Sequence, residues 1–114
     1  MKRFLHVSVV WGVSPKLTDQ LKPILDLADD WVTYGASNWI LYTTEDIFVW
    51  QGRFCAVMDT TIDHCFICEI ANIQTTTAGW LPKWIWEWLR KNREAPLSLF
   101  SPGMILPPVP KFKP

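Results

Sequence analysis

The chain has 114 residues, 49% of them hydrophobic, which is enough for one compact domain and too few for two ordinary ones. Eleven Lys plus Arg balance eleven Asp plus Glu, so the strongly basic surface of a protein that neutralises many phosphates is not indicated. The segment "MKRFLHVSVVWG" lacks the apolar length and small-residue cleavage site of a leader, and no run of about 18 apolar residues follows, so a soluble cytoplasmic protein is expected.

Residues 4 to 11, "FLHVSVVW", are rich in β-branched and aromatic types and predict a strand, with Leu5, Val7 and Val9 on one face and His6, Ser8 and Val10 on the other. Ser14 followed by Pro15 reads as a helix start. The helix then carries Leu17, Leu21, Ile24, Leu25 and Ala28 along one stripe, with Pro23 expected to kink it or weaken a turn. Residues 29 to 38, "DDWVTYGASN", read as a connector, and the acidic run Asp26 to Asp30 as the solvated end of the helix. "NWILYTT" predicts a second strand in which Trp39 and Leu41 share one face and Ile40 and Tyr42 the other.

Thr44, with Glu45 and Asp46 behind it, predicts a second helix start, since acidic side chains complement the N-terminal dipole. Ile47, Trp50, Phe54, Val57 and Met58 form its stripe, interrupted by Gly52. "HCFICEIA", residues 64 to 71, predicts a third strand, and 72 to 79 a polar loop. A short helix from Pro82 to Asn92 places Trp84, Ile85, Trp88 and Leu89 on an apolar face, with Trp80 grouped nearby, and turns Trp86 outward among Lys83, Arg90 and Arg93. The remaining segment holds six of the nine prolines and predicts extended, polyproline-like chain lying against the domain. The division is therefore 1–94 for the α+β domain and 95–114 for a proline-rich extension.

These elements predict an α+β fold of the βαββαβ sandwich type, helices on one face of an antiparallel sheet, with a fourth strand supplied by the 72–79 loop or by the tail. The other face would be open, and a second copy, a ligand or the tail would have to cover it. His6, Ser8, Tyr42 and Phe66 are the candidate residues for that face or for a dimer interface.

Two stretches carry a resemblance. "FLHVSVVWGVSPKLTDQLKPIL" and "ASNWILYTTEDI" resemble the small ferredoxin-like proteins called SinR-like, relatives of CRISPR-associated protein 2 and of VapD toxins. Ser37, Asn38 and Trp39 match a Ser-x-Trp strand, and "AGWLPKWIWEWL" is similar to the Gly-Trp-Leu and Trp-x-Trp-Leu endings of SinR-like sequences. The likeness spans roughly residues 4 to 92. It implies a ferredoxin-like fold in a bacterial or phage setting, with toxin control, defence or anti-defence as contexts. In nuclease relatives an aspartate after the first strand holds a divalent metal, a task for carboxylate oxygen. Here that position is Gly12, flanked by Trp11 and Val13, so metal-dependent cleavage by that route is not expected.

Other constellations point the same way. Cys65 and Cys68 fall on opposite strand faces, and with His64 they lack the further ligands of a tetrahedral metal site, so the three cysteines read as reduced, buried thiols. No glycine-rich phosphate loop occurs. Neither a cofactor nor a metal is expected. The favoured function is a non-catalytic interaction protein with a protein partner, a second copy, or both. The alternative is a metal-dependent endoribonuclease or nucleic-acid binder, with His6, Asp63 and His64 as substitute catalytic groups and Trp86, Lys83, Arg90 and Arg93 as the surface for nucleic-acid or protein contact.

Overall fold

Alternation of core and polar residues sets β1, Arg3–Val10, as a central strand: Leu5 and Val7 are fully buried and Val9 nearly so. The computed structural model describes residues 1–91 and 93, so the proline-rich extension falls outside the described residues. After β1 come α1 (Thr18–Leu25), β2 (Asp30–Thr33), β3 (Asn38–Thr43), α2 (Ile47–Cys55), β4 (His64–Ile70) and α3 (Lys83–Arg90). The four strands form one antiparallel sheet in the order β2-β3-β1-β4.

The fourth strand comes from the expected connector, not from the 72–79 loop. Trp31, Val32 and Thr33 are strong strand formers, but the element is only four residues long and sits beside two aspartates, which hides it from a periodicity reading. It closes onto β3 through a tight turn in which Gly35 takes φ +70, a conformation that suits a residue without Cβ. Thr33 Oγ1 donates to Asn38 O at 2.8 Å and holds that turn shut.

Both early helices start later than expected. The cap of α1 is Leu17, whose N–H donates to Gln20 Oε1 at 2.7 Å, and Ser14–Pro15 lies in the irregular approach from β1. Leu17 is exposed, whereas Leu21 and Leu25 are fully buried and the helix runs through Pro23. For α2 the cap is Asp46, whose carboxylate accepts from Phe48 N and Val49 N at 2.9 and 3.0 Å. Thr43 and Glu45 work beside it, the latter as a bidentate partner of Arg53 at 2.6 and 2.7 Å.

The sheet is covered on both faces. On one, α1 and α2 pack Leu21, Leu25, Trp50 and Phe54 against Leu5, Val7, Trp39 and Leu41. On the other, α3 packs Ile85, Trp88 and Leu89 against Val32, Ile40 and Tyr42, with Phe4 and Ile70 at the margin. The expected open face is thus a second core over β2, β3 and part of β1, built by the chain's own tryptophan-rich helix. Its latch is Asp30, a buried residue whose carboxylate accepts from Trp31 N and Trp88 Nε1, both at 2.9 Å, and pairs with Lys91 at 3.2 Å. The acidic run is therefore not simply solvated: Asp26 accepts from Trp31 Nε1 at 2.8 Å and Asp29 pairs with Lys2. Among the described residues no helix is long and apolar enough to cross a membrane.

Candidate functional site

The turn after β1 is shaped by a close approach. A Cβ at position 12 would lie 2.4 Å from Ile62 O and 2.7 Å from Ile62 Cβ, so only glycine fits where the 59–63 turn presses on the chain. Gly12 N donates to Asp63 Oδ1 at 2.7 Å, and Asp59 N donates to Asp63 Oδ2 at 2.9 Å, which occupies both carboxylate oxygens in structural bonds. On the other side Trp11 Nε1 donates to Ser37 Oγ at 3.0 Å and ties the turn to the start of β3. Beside it lies a cleft of about 360 Å³ lined by Trp11, Val13, Lys16, Met58, Ile62 and Asp63. Hydrogen bonds from Thr61 hold the Asp59 carboxyl below the usual carboxylate range.

His6, Asp63 and His64 do not converge. His6 stands opposite Cys68 and His64 opposite Val10, four residues apart along the sheet, or roughly 13 Å at strand rise. Asp63 is committed to the Gly12 turn. Among the described residues no three His, Cys, Asp or Glu side chains form a group that could hold a metal ion. His6 Nε2 instead shares a hydrogen bond with the Tyr34 hydroxyl, with Cys68 close enough to raise the tyrosine pKa further beyond the effect of burial. Burial pushes the His6 pKa below its ordinary value of 6.5.

The sign of the consequence is fixed. The unfolded chain binds the His6 proton more readily than the folded one, so this contribution to stability is complete above about pH 6.5 and declines as pH falls from there through the lower folded value. Urea midpoints at pH 7.5 and 5.5 should therefore differ more for the wild-type chain than for His6→Gln. Equal pH dependence in the two would contradict the assignment.

The α3 surface splits. Arg93 is not a surface cation: its side chain is 8% exposed, and its guanidinium lies 4.4 Å from the Trp88 ring centroid, 4.9 Å from Tyr42 and 5.2 Å from Phe4. Tyr42, expected on an open face, is buried beneath it. Trp86 is half-buried against the second core, with Arg90 stacked 5.3 Å from its ring, while Lys83 is exposed and pairs with Glu87. Trp80, grouped with the core by sequence, is fully exposed. Trp86, Lys83, Arg90 and Arg93, expected to share one contact surface, are therefore divided between surface and core.

The feature that stays exposed is the β4 margin. Among the described residues β4 is an edge strand, bonded to β1 alone within the sheet. On the α3 side of the sheet but away from α3, Phe66 is 66% and Val10 63% exposed, with half-buried Ser8 between them in the ladder. On the other face Phe48, at 72% exposure, lines a shallow groove of about 220 Å³ with Ile47, Gln51, Cys65, Phe66 and Ile67. Among the described residues, no charged side chain lines that groove. Cys65, half-buried there, is held protonated with its pKa pushed up to about 11 by burial and by the Cys55 thiol nearby. As the spacing predicted, Cys65 and Cys68 face opposite sides of the sheet.

Of this margin, the sequence reading singled out only Phe66 and Ser8. Phe48 carried one signal, an apolar residue off the α2 stripe, and Val10 another, an apolar residue on the face with His6 and Ser8. Comparison with protein-family models, with curated proteins and with solved structures finds no match.

Proposed function

We propose that the chain is a non-catalytic interaction protein of the ferredoxin-like class that binds a protein partner along its β4 margin. The observation that carries this is an exposed seven-residue edge strand with uncovered phenylalanines on both sides of the sheet, Phe66 and Phe48. Such a margin offers unpaired backbone groups for strand addition and apolar anchors for specificity. What supports the ferredoxin-like reading is the element order βαββαβ up to β4, before α3, with strand order β2-β3-β1-β4. Support for a non-catalytic role is the Gly12 turn, where the residue of interest in nuclease relatives of the SinR-like group has neither a carboxylate nor room for one.

Phe66→Asp and Phe48→Asp test the reading, because both rings are exposed and neither change should alter folding. Each is expected to weaken capture of the cognate partner by at least tenfold while the far-ultraviolet spectrum and urea midpoint stay unchanged. Wild-type affinity in the Phe48→Asp, Phe66→Asp double variant would reject the margin as the binding surface.

A further inference from the structure

We propose that the β4 edge pairs with β4 of a second copy of this chain, antiparallel about a two-fold axis at Ile67, joining two four-stranded sheets into one of eight. The inference rests on the β4 margin being the contact surface and names its occupant. Three observations choose a second copy.

The first is the contrast between the two sheet edges. β2 is four residues long and buried throughout, whereas β4 is seven residues long and nowhere fully buried. Exposed edges are normally blunted by lysine, proline, a bulge or an inward-pointing charge. His64–Ile70 contains no lysine, proline or glycine, pairs with β1 residue for residue without a bulge, and carries one charge, Glu69, which sits opposite Leu5 but is half-exposed and paired with Arg3.

The second is self-complementarity. β4 carries one formal charge, Glu69. A two-fold axis perpendicular to the sheet requires paired residues to share a face, which restricts the axis to a residue position. Centring on Ile67 pairs the whole strand: Ile67 meets Ile67, Phe66 meets Cys68, Cys65 meets Glu69 and His64 meets Ile70. Centring on Phe66 instead sets Asp63 opposite Glu69, and like charges directly opposed are destabilising. The Ile67 register forms about six to eight backbone hydrogen bonds across the axis.

The third is the flanks. The same axis keeps α1 and α2 of both copies on one face of the joined sheet and both α3 helices on the other. The uncharged groove of Ile47, Phe48 and Gln51 then borders the junction on one side and Phe66 borders it on the other. Rings that lie in water on a single copy are covered in the pair.

The test uses the full chain. Light scattering should give twice the chain mass of 13.3 kDa. Phe66→Asp should return the mass to that of one chain, with an unchanged circular dichroism spectrum. A Phe66→Cys variant, oxidised gently with diamide, should form a disulfide-linked dimer through Cys68 of the second copy, and Phe66→Cys combined with Cys68→Ser should not. A wild-type chain that stays at the mass of one copy at its highest attainable concentration overturns the proposal, as does a dimer indifferent to Phe66→Asp. A single-copy chain that captures a partner and loses it on Phe66→Asp also overturns the second copy, while leaving the β4 margin as a binding surface.

Discussion

Replacing Asp30 with alanine should lower the unfolding free energy by about 3–5 kcal/mol, the usual cost of removing one member of a buried ionic cluster. The reason lies in what the carboxylate serves. It accepts the Trp31 N–H and the Trp88 indole N–H at 2.9 Å, pairs with Lys91 at 3.2 Å, and lies 3.8 Å from the Arg93 guanidinium. Arg93 is itself buried among Phe4, Tyr42 and Trp88, and burial already pulls its pKa down while Asp30 pulls it up. Without Asp30 that cation has three aromatic rings and, among the described residues, no counter-charge. Urea denaturation followed by tryptophan fluorescence measures the loss. Trp88→Phe, which replaces the indole by a smaller ring without an N–H, should cost about 1 kcal/mol through the lost hydrogen bond, plus what the smaller ring loses in packing. A loss below about 1 kcal/mol for Asp30→Ala, the range of an exposed ion pair, would mean that the latch is not what docks α3.

Position 12 should be nearly as intolerant. Gly12→Ala places a methyl 2.4 Å from Ile62 O, closer than any real contact, and the obstacle is backbone in a turn that Asp63 clamps from both ends. The expected cost is about 1–3 kcal/mol, typical of overpacking a constrained site. Gly12→Asp should lose at least as much and gain no magnesium or manganese binding by calorimetry, because the space the carboxylate would need is filled by the 59–63 turn. A stable Gly12→Asp variant that binds either ion would show that the turn yields readily. The 59–63 turn would then be a movable neighbour rather than the fitted contact it is here.

Much of the architecture was legible along the chain. β1, β3, β4 and the body of α2 were each legible as elements: in β1 Leu5, Val7 and Val9 alternate with their burial, and in α2 Trp50 and Phe54 fall on one helical stripe, whereas β3 is buried on both faces. The outward turn of Trp86 on α3 was legible in part. Its side chain leaves the Ile85, Trp88 and Leu89 face yet still rests on the second core beneath Arg90. The helix starts were misread because Ser-Pro and Thr-Glu are good caps in isolation, while the chain leaving β1 is pinned at Trp11 and Gly12 and reaches the helical layer only at Thr18.

What periodicity could show, then, was which residues prefer a strand or a helix and which of their faces is apolar, because those preferences are set by neighbours within one or two turns. It could not show that Asp30 is an anchor, since its partners Trp88, Lys91 and Arg93 lie about sixty residues away and only folding puts them in one dry place. Nor could it show that α3 would cover the expected open face while leaving β4 uncovered. Both faces of a strand can read as apolar, and which one meets water depends on where the other elements of the chain come to rest. The site follows the same division: Gly12 was conspicuous as a letter, but its cause, the carbonyl of Ile62 pressed against it, exists only in three dimensions.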